Sequence, residues 1–289
     1  MCHKRRGKKS TGMKTAQFTV EGGKHGATLQ DFVAERLDIS RKKAKDLLDA
    51  RNVFVNARRV WMARHALSRG DQVEILVAPA ASPAARRLRI LHEDPDYLVA
   101  DKPPGMLSNG PDSAESLLRT QLVKSGILAV HRLDRDTSGC LLLATSRAAF
   151  DAAIPLFRGH RVKKTYHAIA AGRIAAPAQT VRIPVDGERA VTHLRLLDAC
   201  GEASHLLVSI ETGRTHQIRK HLDAIGHPLL GDRQYGTNAP ATERTLTVPR
   251  QMLHAYSIQF SPPTQSRGVQ AVAPLPPDFR ACLRKFKLT

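Results

Sequence analysis

The chain has 289 residues, 42% hydrophobic and 4% aromatic, enough for one large or two modest globular domains with a sizeable core. Its apolar runs fall short of the ~18 residues that a membrane helix needs, so we expect no membrane segment. The basic N-terminus lacks a following apolar stretch, which argues against a secretory signal and favours a cytoplasmic location.

The charge balance indicates the class of partner. Lysine and arginine total 45 against 26 aspartates and glutamates, a net charge of +19. Such an excess favours a polyanion, because basic side chains that neutralise phosphates release condensed counterions. An acidic membrane surface is the rival, but the sequence has no long basic amphipathic helix with an aromatic face. We therefore expect nucleic acid, and charge alone does not separate RNA from DNA.

Residue types that bind metals are scattered along the chain. The cysteines form no Cys-x-x-Cys pair, so we expect neither a zinc site nor a disulfide framework. The histidines at 216, 221 and 227 do not follow the His-Glu-x-x-His spacing, and no nearby cysteine or glutamate completes a ligand set. We predict no metal.

Residues 1–16 are basic with almost no apolar content, which predicts a disordered arm that either contacts RNA or only aids solubility. Residues 17–78 predict a small α/β module. Thr28 is a candidate N-cap for one helix, and Ser40 precedes a second. Short strands are expected in this module. Their predicted positions are 53–55, 60–61 and 72–76.

The second helix of this module begins with Arg41, Lys42 and Lys43, and Lys45 follows. Cations in a first helical turn oppose the helix dipole, at ~0.3–1 kcal/mol each when exposed. We expect these side chains to contact phosphate, since further arginines follow directly. The alternative is a solvated charged face, which salt would render nearly harmless.

Residues 79–87 lack periodicity and predict a linker. From residue 88 to 289 the pattern favours many short strands with a few helices, so the chain as a whole is predicted to be α+β. Helices are expected at 146–157 and 215–225. The expected strands lie at 97–101, 139–145, 164–171, 204–211 and 252–260.

The most informative stretch runs from His131 to Gly139 and contains Asp134 between two arginines. It forms a polar turn directly before the apolar run 140–144, which predicts a buried strand. Nearby cations favour the charged form of a carboxylate, and a turn at a strand end is a common location for reactive groups. A surface turn with incidental charges is the alternative for this motif alone.

Three further segments accompany it in order: 90–105, 163–168 and 213–219, the last continuing to 236. Together the four resemble the signature of the RluA-type family of ribosomal RNA pseudouridine synthases, over roughly residues 88–263. Residues 17–78 resemble an S4 domain, a small RNA-binding module that often precedes the catalytic domain in this family. The resemblance implies a central antiparallel sheet with flanking helices, lined by an active-site cleft.

The resemblance also assigns roles. Asp134 is the expected catalytic carboxylate, Arg219 its partner across the cleft, and Tyr166 the aromatic that stacks on the target base, an interaction worth ~1–3 kcal/mol. Arg132 is expected to help draw the nucleotide from its helix, a step that costs a few kcal/mol. Ile218 is expected to pack under the base, and Arg214 to contact phosphate or support the structure.

The implied reaction moves uracil from an N1 to a C5 bond with ribose, for which a carboxylate suffices, so we expect no cofactor. Asp136 suggests a glycosidase-like pair of acids, but two carboxylates two residues apart in a tight turn rarely reach that geometry. We expect a monomer acting on large-subunit ribosomal RNA, by family analogy. Transfer RNA stays an alternative substrate. Two alternative functions also stay open: a catalytically inactive RNA-binding or ribosome-assembly protein, and a glycosylase that releases free base.

Overall fold

The computed structural model describes residues 14–21, 28–49, 52–77, 87–236, 242–262 and 267–289. The chain divides into two compact units, residues 1–85 and 86–289. Most of the predicted arm (1–13) and of the predicted linker (79–86) lies outside the described residues.

The N-terminal unit combines a four-stranded antiparallel sheet with two helices. The sheet order is β1-β4-β2-β3, with β1 (Lys14–Thr19), β2 (Val53–Val55), β3 (Arg58–Arg59) and β4 (Gln72–Val77). The helices are α1 (Leu29–Arg36) and α2 (Arg41–Asp49). Thr28 caps α1 as predicted, because its hydroxyl accepts the Asp31 amide at 3.2 Å, and Ser40 accepts the Lys43 amide at 3.3 Å.

Two predictions for this unit are wrong in detail. The predicted arm overlaps β1, which already begins at Lys14 and pairs with β4. The predicted strand at 60–61 is displaced to Arg58–Arg59, because Asn56 and Ala57, both with positive φ, reverse the chain and pair Phe54 with Arg59.

The larger unit contains one ten-stranded sheet in the order β10-β11-β12-β9-β13-β8-β6-β5, with β14 paired to β13 and β7 to β8. Its neighbours are antiparallel except β13 and β8, which run parallel. The first five strands are β5 (Arg89–Glu93), β6 (Tyr97–Lys102), β7 (Leu128–Ala129), β8 (Ser138–Ala144) and β9 (Lys163–Ala171). The others are β10 (Ala178–Val181), β11 (Thr192–Ala199), β12 (Ala203–Ile210), β13 (Leu253–Phe260) and β14 (Val269–Val272).

The helices of this unit pack around the sheet. They are α3 (Ala114–Leu122), α4 (Arg147–Arg158), α5 (Gln217–Ala224), α6 (Glu243–Leu246) and α7 (Pro277–Phe286). The helices predicted at 146–157 and 215–225 are confirmed as α4 and α5, whereas α3, α6 and α7 were not predicted. Within the described part of the chain, no helix has the length and apolar character needed to cross a membrane.

Strand β8 lies in the middle of the core and is buried at every residue. Because side chains alternate between the faces of a strand, Leu141 and Leu143 join one apolar cluster while Leu142 and Ala144 join another, under α4. Packing on both faces holds the strand rigidly, and with it the turn that precedes it.

Candidate active site

The turn of residues 131–137, which contains Asp134, is held by hydrogen bonds to its backbone. The Ser108 hydroxyl bonds both the amide and the carbonyl of Leu133, each at 2.9 Å. Lys102 donates to the Arg135 carbonyl at 3.0 Å, and Arg250 to the Asp136 carbonyl at 2.9 Å. Three side chains from two distant parts of the chain, residues 102–108 and residue 250, therefore fix the path of this turn.

Lys102 and Arg250 are buried cations with mainly backbone partners. Lys102 also donates to the carbonyls of Pro103 and Met106, so its three ammonium hydrogens serve three acceptors. Burial lowers the pKa of Lys102, while the charge of Asp136 opposes that shift. Arg250 forms a two-bond pair with Asp278 at 2.7 and 3.1 Å, which links the turn to α7. Sequence analysis assigned no role to either residue.

Asp134 points into the cleft with 22% of its side chain exposed. Arg219 donates from Nη1 to its Oδ2 at 3.1 Å, and Gln251 approaches the same oxygen at 3.4 Å. His216 Nε2 lies 3.6 Å from the other oxygen, Oδ1. The expected Asp134–Arg219 pair is therefore present in the geometry, although 85 residues separate the two positions.

Arg219 is itself held by Asp232. The Nε and Nη2 atoms of Arg219 donate to the two Asp232 oxygens at 2.6 and 2.9 Å, and the Asp232 side chain is fully buried. Tyr235 covers the guanidinium, with its ring centroid 4.9 Å away. Burial opposes the charge, but the two carboxylates raise the pKa of Arg219 above its ordinary value. Asp232, a residue to which no role was assigned from the sequence, therefore orients the partner of Asp134.

Two glycines allow the close backbone approaches around this network. Gly139 has φ +110°, and a Cβ there would overlap the Ala255 carbonyl on the neighbouring strand β13. Gly231, just before Asp232, has φ +74°, and a Cβ there would overlap the Arg250 carbonyl. Only glycine fits both the conformation and the space at these positions.

The cleft beside Asp134 has a volume of about 270 Å³ and an apolar floor formed by Tyr166, Ile218 and Leu253. Tyr166 lies on β9, in register with Ala255 of β13. Burial raises the pKa of its phenol, and the charge of Asp134 adds to the shift, so the hydroxyl stays neutral at physiological pH. A flat aromatic, a branched aliphatic side chain and a carboxylate thus face one space.

Cations line the rim of the same cleft. Arg132 is exposed, and Lys164 is half-buried with Nζ 5.6 Å from the Phe157 ring. Neither forms an ion pair with a carboxylate among the residues that the structure describes. Burial lowers the pKa of Lys164 to about 8. Lys164 lies in the quoted 163–168 segment, but sequence analysis gave it no role.

The histidines of this region have structural partners. His216, in the left-handed conformation at the start of α5, bonds the Tyr235 hydroxyl at 3.0 Å, and burial lowers its pKa despite the charge of Asp134. His131 accepts the Leu142 amide at 3.0 Å, and burial lowers its pKa to about 3. Among the described residues, no group of three or more histidine, cysteine or acidic side chains is arranged to hold a metal ion.

The remaining predicted contacts lie apart from Asp134 or in the other unit. Arg214 lines the cleft but pairs with Glu188 at 2.9 Å and donates to the Arg189 carbonyl at 3.2 Å. Arg41, Lys42, Lys43 and Lys45 are exposed on α2. Arg41 pairs with Asp31 at 2.8 Å and Lys45 with Asp49 at 2.7 Å.

Comparison with known proteins identifies the class. Residues 96–224 match the family described as RNA pseudouridylate synthase. The described core also resembles the structure of human RNA Pseudouridylate Synthase Domain Containing 1, with a TM-score of 0.57 and 30% identity over 68% of this chain and 87% of that one. The fold is thus that of a pseudouridine synthase.

Relatives of known name agree along nearly the whole chain. Ribosomal large subunit pseudouridine synthase D of Nitrosomonas europaea is 30% identical over 313 residues, covering 94% of this chain and 88% of the relative. The protein of that name in Pasteurella multocida is 31% identical over 310 residues, covering 94% and 95%. The chain belongs to the RNA pseudouridine synthase family, and its reaction is the isomerisation of uridine in RNA.

Proposed function

We propose that Asp134 is the catalytic carboxylate and that this enzyme acts on large-subunit ribosomal RNA. The observation that carries the first part is the chain of contacts from Asp232 through Arg219 to Asp134, beside the buried Tyr166. The names of the relatives from Nitrosomonas and Pasteurella support the second part. A cytoplasmic monomer without metal or cofactor fits this proposal.

The reaction breaks the bond between uracil N1 and ribose C1′ and forms one between C5 and C1′. The C5 proton leaves to solvent and N1 gains a proton, so atoms balance without an oxidant or reductant. Asp134 supplies the carboxylate that either attacks C1′ or accepts a proton. Arg219, fixed by Asp232, holds that carboxylate in one orientation before the substrate arrives.

The rest of the cleft receives an extruded nucleotide. Tyr166 stacks on the uracil, and Ile218, on the same apolar floor, packs under the base. Arg132 and Lys164 meet the flanking phosphates, since both line the cleft without a carboxylate partner among the described residues. Flipping costs a few kcal/mol, which these contacts offset.

The N-terminal unit makes additional contacts with the RNA. Its two helices and small antiparallel sheet are in keeping with an S4-like module spanning residues 17–78. The exposed start of α2, with Arg41, Lys42 and Lys43, is the proposed phosphate contact.

Asp134→Asn tests the catalytic assignment. We expect loss of tritium release from uracil C5 with RNA affinity retained, because the amide keeps the side-chain shape but not the charge. Asp136→Asn is the matched control and keeps activity. Mapping pseudouridines in cellular RNA with and without the gene identifies the substrate, and sites in transfer RNA alone would refute the ribosomal proposal. Free uracil among the products would indicate a glycosylase, and an active Asp134→Asn enzyme would remove Asp134 from its role.

A further inference from the structure

The N-terminal unit displays two large apolar side chains on its surface. Trp61 is the single tryptophan of the chain and is 53% exposed, and the adjacent Met62 is 60% exposed. Both follow β3 in a turn that leads back to α1. Neighbouring large apolar residues at this exposure indicate a contact surface more often than one such residue alone.

The turn that carries them is anchored on both sides. The Val60 amide donates to the Val53 carbonyl at 3.0 Å, and the His65 amide closes the turn on the Met62 carbonyl at 3.0 Å. From α1, the amide of Leu29 donates to the His65 carbonyl at 2.8 Å, and that of Gln30 to the Ala63 carbonyl at 3.1 Å. The exposed side chains therefore project from a fixed backbone.

The same contacts place this turn beside the basic start of α2. Gln30, whose amide bonds the turn, donates from its side chain to the Arg41 carbonyl at 2.8 Å. Lys42 and Lys43 follow Arg41 and are exposed, and Arg64 is exposed within the turn itself. The turn that carries Trp61 is thus joined through Gln30 to the residue that begins the basic helix α2.

We propose that Trp61, flanked by Met62, is a stacking surface for an unpaired base of the substrate RNA, whose neighbouring phosphates lie on the start of α2. Aromatic surfaces beside cations are how proteins hold single-stranded nucleotides, because every base has a π-face while the cations follow the backbone. The proposal deepens the RNA-binding function proposed above and rests on it. It assigns to this unit a preference for loops or single strands over continuous duplex.

A protein partner fits these observations less well. Two side chains form a small apolar patch, and the cations around it favour an anionic partner over a neutral one. Self-association through Trp61 is the competing use of the surface, and the oligomeric state of the variants distinguishes it.

The test uses the full chain and two synthetic RNAs of equal length, a stem-loop with an unpaired loop and a blunt duplex. Because Trp61 is the single tryptophan, its fluorescence reports this site alone. We expect the stem-loop to quench it strongly and the duplex weakly. Trp61→Ala should weaken stem-loop binding by about 5- to 150-fold, the equivalent of ~1–3 kcal/mol. Trp61→Phe should retain most of the affinity, and Val272→Ala, an exposed apolar position on β14, is the control.

The outcomes separate the two proposals. If the wild-type chain binds the stem-loop and forms pseudouridine, yet its fluorescence is unchanged or Trp61→Ala binds equally well, the stacking proposal is wrong and the proposed function stands. Equal quenching by duplex would also overturn it, as would a Trp61→Ala chain that changes only from dimer to monomer. A wild-type chain that binds neither RNA would refute the RNA-binding function and the stacking site together.

Discussion

We expect Asp232→Ala to destabilise the catalytic unit and to disable the enzyme at the same time. Asp232 is fully buried and pairs with Arg219 through two bonds at 2.6 and 2.9 Å. Removing one partner of a buried ion pair costs about 3–5 kcal/mol, because the other charge stays in the interior. The amides of Gln234 and Tyr235 also lose the acceptor that Asp232 provides at 3.0 and 3.1 Å.

Asp134→Asn is the matched control, because it removes the other carboxylate that Arg219 contacts. Asp134 is partly exposed, and Arg219 keeps both bonds to Asp232 in this variant. We therefore expect activity to be lost with a change in stability below about 1.5 kcal/mol, the scale of an ordinary hydrogen bond. The pair of variants separates orientation of Arg219 from chemistry at Asp134.

The aromatic residues allow each unit to be followed separately. All four tyrosines lie between residues 97 and 256, in the larger unit, and the single tryptophan lies in the smaller one. The melting temperature of the larger unit, followed by tyrosine circular dichroism, should fall by about 6–20 °C in Asp232→Ala. This range follows from ~2–4 °C per kcal/mol for a domain of this size. The melting temperature of the smaller unit, followed by Trp61 fluorescence, should not change. An Asp232→Ala enzyme with wild-type melting and full turnover would refute this account of the network.

Three further outcomes are expected. Lys164→Met should weaken RNA binding near neutrality. In the wild type, RNA affinity should fall as pH rises through about 8, where the free amine loses its proton, whereas the affinity of Lys164→Arg should not change over this range. Identical pH profiles for the two proteins would exclude a phosphate contact. Gly139→Ala should lower the free energy of unfolding by at least about 3 kcal/mol, because the added Cβ overlaps the Ala255 carbonyl. Gly201→Ala, with open space around its Cβ, should leave the free energy of unfolding nearly unchanged, and thermal unfolding measures both. Replacing Arg41, Lys42 and Lys43 with glutamine should reduce the slope of log affinity against log salt by about 2–3 in a titration, and an unchanged slope would mean that α2 does not meet phosphate.

The parts of the site that were predictable lie within short contiguous motifs. Asp134, Tyr166 and Arg219 each occur in such a motif, and the structure places all three at one cleft. Lys102 and Arg250 were missed because their role depends on carbonyls 33 and 114 residues away, and a backbone acceptor leaves no mark in the sequence. Asp232 follows a glycine, and that pair resembles an ordinary turn.

The helices and strands also differ in whether their local sequence predicts them. Strand β8 and helices α4 and α5 were predictable because burial follows their local periodicity. Helix α7 carried a readable signal that was not used: Phe279, Cys282, Leu283 and Phe286 are spaced for one buried face, after a proline at the helix start. The position of β13 between β8 and β9 was not readable, since pairing across more than 80 residues depends on the whole sheet.

The central place of β13 has a consequence for biosynthesis. Strands β5, β6 and β8 on one side, and β9 to β12 on the other, are joined in the sheet through β13, the strand of residues 253–260. A nascent chain that has not yet released these residues from the ribosomal exit tunnel holds two separate half-sheets, with Asp134 on one and Tyr166 on the other. The cleft that contains both residues can therefore assemble only after residues 253–260 have been synthesised and released.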